Sequence, residues 1–305
     1  MLIPNIKGET SQLKTVVIGT AKSLGGVPKI EEAYDPKSKK NIRNGTYPTE
    51  SDLIKELDEF TSVLGKYKVN ILRPELLDGL NQIYVRDVGF VIEDKFIQSH
   101  MVPNRAKEVN GITFLKEQIN PDHLIEPPVD VKIEGGDVMP CNDHIFIGYS
   151  KSKDFNKYIV SRTNEAGVEF ISEQFPGKIV KAFELNKSDD NPMENTLHLD
   201  CCFQPIGLDQ AIIYKGGFKH LGDYHWLIDF FGPDKIIEIT QQEMYQLFSN
   251  VFSISSEVIV SEKGFTRLNR KLRDKGFTVE EVGFYEIAKM SGLFRCATLP
   301  LIRKN

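Results

Sequence analysis

Apolar runs along this chain come in pairs joined by short polar turns. Phe90-Val91-Ile92 passes through Glu93-Asp94 into Lys95-Phe96-Ile97, and Asp137-Val138-Met139 passes Asn142-Asp143 into His144-Ile145-Phe146-Ile147. Gln204-Pro205-Ile206 leads through Leu208-Asp209 to Ala211-Ile212-Ile213-Tyr214, and Val251-Phe252-Ser253-Ile254 through Ser255-Ser256-Glu257 to Val258-Ile259-Val260. Each pair predicts a β-hairpin. The turns recur roughly every fifty to sixty-five residues, a spacing that suggests a repeated supersecondary unit.

Segments of helical period fill the gaps. Thr49 or Ser51 can cap a helix whose Leu53, Ile54, Leu57, Phe60 and Leu64 share a face, followed by the strand Val69-Asn70-Ile71-Leu72. Tyr158 to Gln174 reads as a helix leading to a strand over 178–183, and Phe265, Leu268, Leu272 and Phe277 mark another before Val279 and Val282. The unit is hairpin, helix, strand, with a first copy beginning at Leu13-Lys14-Thr15-Val16-Val17-Ile18-Gly19. Such units pack most simply around a common axis, as in a propeller, so the expectation is one α/β domain over residues 1–305.

Polar islands interrupt the apolar pattern at related places. They are Val85-Arg86-Asp87-Val88, Ile133-Glu134-Gly135-Gly136-Asp137-Val138, Leu197-His198-Leu199-Asp200 and Phe294-Arg295-Cys296-Ala297. Asp87 lies seven residues before Asp94 of its hairpin turn, Asp137 six before Asp143, and Asp200 nine before Asp209. Equivalent places in rotated copies face one axis, so these groups are expected to meet. The Gly pair reads as an interruption of a strand that leaves room for a ligand beside Glu134 and Asp137. Two polar stretches, Ala21 to Pro48 and Asn186 to Asn195, lie outside the repeat, and both could close over a pocket.

Composition narrows the function. The 305 residues are 40% hydrophobic and 27% charged, and the net charge of -5 with scattered Lys and Arg argues against a nucleic-acid partner. The start of the chain lacks a signal-peptide pattern and no apolar run reaches membrane-spanning length, so a cytoplasmic protein without a membrane partner is expected. The sequence leaves a homo-oligomer open. Cysteines 141, 201, 202 and 296 show no disulfide spacing and read as thiols. Cys141 with His144, or Cys201 with His198, begins a metal set that nothing completes, so neither metal nor cofactor is expected.

A thiol, an imidazole and several carboxylates in one pocket suit attack on a small cationic carbon. The thiolate is the reactive form, and carboxylates alone oppose it, so the ligand itself should supply positive charge. A guanidinium fits: it is planar, permanently charged and offers forked donors that paired carboxylates match. Asp87 and Asp200 are the pair assigned to that clamp. Singly, each residue has a duller reading: Cys296 as core filler, Asp87 as the partner of Arg86, His198 as a satisfied buried ring, Asp200 as a turn cap.

The ordered set Arg86-Asp87, Glu134-Gly135-Gly136-Asp137, His198-Leu199-Asp200 and Arg295-Cys296-Ala297-Thr298-Leu299-Pro300-Leu301 resembles the guanidino-group-modifying enzymes: arginine deiminase, dimethylarginine dimethylaminohydrolase and the amidinotransferases. Ser161-Arg162-Thr163-Asn164 and the opening Val16-Val17-Ile18-Gly19 extend the resemblance over nearly the whole chain. It implies a five-bladed α/β propeller, or pentein, of ββαβ modules. It also implies Cys296 as nucleophile, His198 as general acid and base, Glu134 on the imidazole, and Asp87 and Asp200 on the guanidinium. The intermediate would be a covalent thiouronium. Arg105, Arg162 and Arg295 are candidates for a substrate carboxylate, and Asp137 for the substrate pocket.

The glutamate of the Glu-Gly-Gly-Asp run and the short tail after Cys296 resemble the hydrolases. The Val-Val-Ile-Gly strand resembles the amidinotransferases and keeps transfer to an amine such as glycine as the alternative. A departure from the family is Met290-Ser291-Gly292-Leu293-Phe294-Arg295, which stands where a Gly-rich run precedes the nucleophile and puts arginine itself in doubt as the substrate. A silent protein that only binds a cationic ligand on the same fold is a further reading, and a metal-dependent enzyme a more distant one.

Overall fold

A computed structural model describes residues 1–304. Among them the strands form five three-stranded sheets of one topology: a first strand antiparallel to a central one, which pairs in parallel with a third. The hairpin over Gly89–Ile92 and Lys95–Gln98 is joined by Leu124–Ile125. Val138–Cys141 and His144–Tyr149 are joined by Ile179–Glu184, and Phe203–Ile206 and Gln210–Ile213 by Ile236–Glu238. Phe252–Ser253 and Val258–Glu262 are joined by Thr278–Val282. The turns that the sequence marked carry the bends: Glu93, Asn142 and Gly207 all have positive φ.

The remaining sheet departs from the expected first copy. Gln12–Ile18 is its central strand, parallel to Asn70–Leu72, and its leading strand is Thr298–Lys304 from the other end of the chain. The two chain ends therefore share one sheet.

A helical segment links central and third strands in every sheet, which gives the parallel pair its crossover. Glu50–Lys66 is capped by Thr49, which accepts from the Asp52 amide, and buries Leu53, Leu57, Phe60, Val63 and Leu64. The ring of Phe60 meets Phe252, Phe284 and Phe294 edge-on, tying this helix to the segment before Cys296.

Two expectations change. The helix expected from Tyr158 begins only at Glu165, because the amides of Ile159 and Val160 donate to the Asp189 carboxylate and Asn164 caps the Gly167 amide. Leu221–Phe231, with apolar residues almost all round, is a helix that no amphipathic period announced.

The Ala21 to Pro48 segment is built. It contains the helix Pro36–Arg43, with Asp35 as its cap and Pro36 in its first turn. No helix among the described residues is long and apolar enough to cross a membrane.

Candidate active site

The polar islands occupy corresponding positions, immediately ahead of the first strand of each sheet. Val85–Asp87, Gly135–Asp137 and Leu199–Cys201 are each a single 3-10 turn, so the Gly pair lies in a helical turn and not within a strand as the sequence suggested. Cys296 precedes Thr298–Lys304 in the same way, and Ser249 and Asn250 precede Phe252–Ser253.

Backbone contacts between the islands are close. The Arg86 amide donates to the Cys296 carbonyl at 3.1 Å, and the Leu199 amide donates to Asp137 Oδ1 at 2.9 Å. The glycines permit this. A Cβ on Gly135 would lie 2.2 Å from the Arg86 carbonyl oxygen, and one on Gly136 would lie 2.6 Å from Cγ of His198.

His198, Glu134 and Asp87 come together in the interior. His198 Nε2 lies 2.9 Å from Glu134 Oε2, and Nδ1 lies 3.7 Å from Asp87 Oδ1. Burial works against the imidazolium, but Asp87, Asp137 and the Glu134 hydrogen bond prevail and raise its pKa to about 9. Burial likewise disfavours a charged Glu134, yet Arg162, His198 and Arg105 hold its carboxyl down at about 2. The site thus contains a buried imidazolium on a carboxylate. Asp87 Oδ1 and Glu134 Oε1 are buried without a hydrogen-bond partner.

Cys296 is 3% exposed, with Sγ 3.5 Å from Asp200 Oδ2 and 3.1 Å from Asn250 Nδ2. Burial first, then Asp200 and Asp87, raise its thiol far above the usual range. The resting sulfur is a thiol facing anions, a place where an added cation has a large effect. Cys201 Sγ sits 3.7 Å from Asp200 Oδ1, and Cys202 is enclosed with Sγ 3.5 Å from the Leu199 carbonyl.

The three arginines are engaged from within. Arg295 donates from Nε and Nη2 to Glu9, from Nη2 to the Val138 carbonyl, and from Nη1 to Asp200 Oδ2 at 2.9 Å and the carbonyls of Gly135 and Gly136. All its donors are occupied, which leaves none for the substrate carboxylate that the sequence reading offered it. Arg105 binds Asp87 Oδ2 at 2.7 Å and grips Glu108 with Nε and Nη2. Arg162 makes longer contacts, 3.5 Å to Glu134 Oε2 and 3.4 Å to the Tyr34 carbonyl. Asp137 is fully buried, and its Oδ1 holds the Leu199 amide next to His198.

The segment before the first long helix lies over this cluster. The half-buried Tyr34 ring sits 5.7 Å from the Arg105 guanidinium and 5.4 Å from that of Arg162. Asp35 accepts from the Ser38 amide and the Ser291 hydroxyl, which fastens the segment to the loop leading to Cys296. Tyr34 borders two cavities: one of about 240 Å³ also lined by Asp35, Tyr47 and Glu108, the other of about 400 Å³ also lined by Met101, Tyr158 and Arg162. Lys187, in the second polar stretch, donates to the carbonyls of Thr196 and Leu197 just before His198.

Asp87, Glu134 and His198 have ligand atoms close enough to surround a metal ion. Arg105 at 2.7 Å from Asp87 and Arg162 at 3.5 Å from Glu134 already supply the positive charge there, so the donor set suits a metal poorly.

A profile of the family described as N,N-dimethylarginine dimethylhydrolase, eukaryotic, matches residues 29–303. The chain belongs to this family. It therefore stands among the guanidino-group-modifying enzymes, in agreement with the resemblance of its motifs. The uncharacterised protein YkgA of Bacillus subtilis is 30% identical over 253 residues, which span 79% of this chain and 77% of that one. An amidinotransferase of the saxitoxin biosynthetic pathway from Microseira wollei superposes with a TM-score of 0.79 at 18% identity, covering 99% of this chain and 98% of its own. The N-terminal domain of an arginine dihydrolase from the cyanobacterial ornithine-ammonia cycle gives 0.79 at 16% identity, covering 96% and 98%. The inosamine-phosphate amidinotransferase of Streptomyces griseus gives 0.77 at 14% identity, covering 100% and 98%. At these identities the structures speak for a common α/β fold of small sheets.

The motifs led to Asp87, Glu134, Asp137, His198, Asp200 and Cys296. Glu9, Glu108 and Asn250 were missed. Glu9 and Glu108 carry no local signal, since each is defined by the arginine it meets. Asn250 had one, because it stands ahead of the last hairpin as Asp87, Asp137 and Asp200 stand ahead of theirs.

Proposed function

We propose that the chain is a Cys296-dependent hydrolase acting on the guanidino group of arginine or a substituted, arginine-like compound. The observation that carries this reading is the Cys296 sulfur set against Asp200 and the His198 ring set against Glu134 and Asp87, with Asp87 Oδ1 making no hydrogen bond among the described residues. A guanidinium bound against Asp87 and Asp200 would place its charge beside Cys296 and so favour the thiolate that the carboxylates alone oppose. The five sheets of one topology support a five-bladed propeller of ββαβ modules in a single domain over 1–305, closed by the sheet that the chain ends share.

The thiolate forms a bond to the central guanidino carbon, and the C–N bond to the departing amine breaks as His198 gives it a proton. This leaves a thiouronium on Cys296 and a neutral imidazole. Water then adds to the same carbon while His198 takes one of its protons, the C–S bond breaks to release the thiolate, and the remaining hydroxyl proton passes to the released amine or solvent to give the ureido product. Thiolate and imidazolium are restored. Glu134 orients the ring and stabilises its charge, and Asp137 positions the turn that carries it. Arg105 and Arg162 act on the carboxylates, with Arg162, the more loosely held, able to reach a substrate carboxylate. No cofactor is required.

The test is incubation of purified protein with a panel of arginine and N-substituted arginines, assaying ureido product and released amine. Product formation supports hydrolysis. Its absence, with amidine appearing on added glycine or another amine, would make the enzyme an amidinotransferase, as two of the similar structures are named. Binding of the panel without turnover or thiol labelling would indicate a silent binder. Cys296→Ser should reduce turnover below detection with a melting temperature within about 2 °C of the parent, a change in size too small to disturb packing. Substantial residual turnover would refute the assignment.

A further inference from the structure

Four of the five sheets deliver a residue of recognised chemistry from the position ahead of the first strand: Asp87, Asp137, Asp200 and Cys296. The fifth delivers Asn250, fully buried and in contact with the sulfur. Its amide orientation is fixed by chemistry. The Cys296 backbone N–H can only donate, and it lies 3.2 Å from Asn250 Oδ1, so Nδ2 must face Sγ, at 3.1 Å. Nδ2 also lies 3.5 Å from the Asp200 carbonyl, which the Ser249 hydroxyl binds at 2.8 Å. One side chain thus touches the backbone and the sulfur of Cys296 and the residue whose carboxylate lies against that sulfur.

We infer that Asn250 is a catalytic residue, its amide N–H stabilising the ionised sulfur while its carbonyl fixes the backbone of Cys296. The inference rests on Cys296 being the nucleophile. Among the described residues no other side-chain donor is within hydrogen-bond distance of this sulfur; its remaining close polar neighbour is the Asp200 carboxylate. An anionic sulfur against the Asp200 carboxylate, with the charge of Asp87 adding to the same field, needs a donor, and a neutral one suits a site that must also attract a guanidinium. Lys or Arg at this position would stabilise the thiolate but repel the substrate. Asn does the first without the second. The same N–H assists twice, once when the thiol ionises and again when sulfur departs as thiolate from the adduct that water forms.

The experiment is saturation kinetics of Cys296 alkylation by chloroacetamidine, a cationic amidine, in wild type, Asn250→Ala and Asn250→Asp at pH 8. Peptide mapping identifies the labelled thiol. The Asp variant keeps size and the acceptor for the Cys296 amide but turns an oxygen toward the sulfur, so it stays informative if the Ala variant fails to fold. The expected result is a limiting rate lowered tenfold or more in each folded variant, as for loss of a hydrogen bond to a charged group. In Asn250→Ala the half-saturating concentration should stay within about threefold of wild type, since the clamp is intact. A wild-type limiting rate in Asn250→Asp, the outcome for a merely structural acceptor, would overturn the inference while leaving Cys296 as nucleophile. Failure of the wild-type protein to be labelled at Cys296 would remove both.

Discussion

His198 keeps its charge in a closed interior because three carboxylates outweigh the burial that opposes it. Its raised pKa of about 9 against an ordinary 6.5 has two consequences of definite sign. The stabilisation it brings is complete below about pH 6.5 and is lost as pH rises through 9. Under the proposed mechanism the imidazolium is also the proton donor, so turnover should fall along an alkaline limb near the same pH. Glu134→Gln removes the hydrogen-bonded anion and leaves Arg162 facing the ring. It should lower kcat by about a hundredfold or more, the usual contribution of a general acid. It should also move the alkaline limb down by one to two pH units. A pH–rate profile of the variant checks both, and an unmoved limb would mean that Glu134 does not set the protonation of His198. These residues were legible because the chemistry of each is short-range: a His, a Cys and an acid beside a Gly pair stand out in an apolar context. The pairing of Arg162 with Glu134 was not, since the two are apart in sequence and meet only through the fold.

At the scale of the element, the decisive pieces are single turns ahead of strands, too short for periodicity to mark. The hairpins and the Glu50–Lys66 helix were readable because paired apolar runs about a polar turn and a five-residue apolar face define them. The turn at Gly135–Asp137 read as an interrupted strand because glycine weakens any regular element, and only the neighbouring backbone shows why glycine is there. The two glycines should separate cleanly on substitution. In Gly135→Ala the new methyl meets the Arg86 carbonyl at 2.2 Å, a backbone atom of the neighbouring 3-10 turn, so stability should fall by about 2–3 kcal/mol in urea unfolding. In Gly136→Ala the obstacles are the site's own side chains, Cγ and Nδ1 of His198 at 2.6 Å and Asp87 Oδ1 at 2.9 Å, which the methyl would displace. The loss should then appear mainly in kcat, with less than about half the destabilisation. Equal unfolding costs with unchanged turnover in Gly136→Ala would show that the turn does not control the ring.

For the whole molecule, one buried carboxylate near the chain start connects the pieces. Glu9 receives Nε and Nη2 of Arg295 at 3.1 Å, and Arg86 approaches it at 3.8 Å, so a residue beyond every repeat partners arginines from the Asp87 and Cys296 islands. Three arginines act on it in all, and although burial pushes its pKa up, Arg295, Arg86 and Arg303 hold it at about 2 against an ordinary 4.5. The repeat pattern could not announce Glu9, because an axis exists only once the sheets are assembled and the C-terminal strand has paired with Gln12–Ile18. Its depressed pKa means that its stabilisation is present above about pH 4.5 and disappears as pH falls toward 2, about 3 kcal/mol if the full shift is realised. Glu9→Gln keeps the shape and removes the charge, leaving Arg295 with Asp200 as its only anionic partner among the described residues. The variant should lose about 3 kcal/mol at pH 7, within the range for breaking a buried pair. Its stability should then change less than that of wild type between pH 4.5 and 2, because the group that titrates there is gone. Urea unfolding at the two pH values measures both effects, and a variant as stable as wild type at pH 7 would show that Asp200 alone neutralises Arg295. In that case the tension between Arg295 and the sulfur for Asp200 Oδ2 would be the dominant interaction at the centre of the molecule, and the chain start merely a cover.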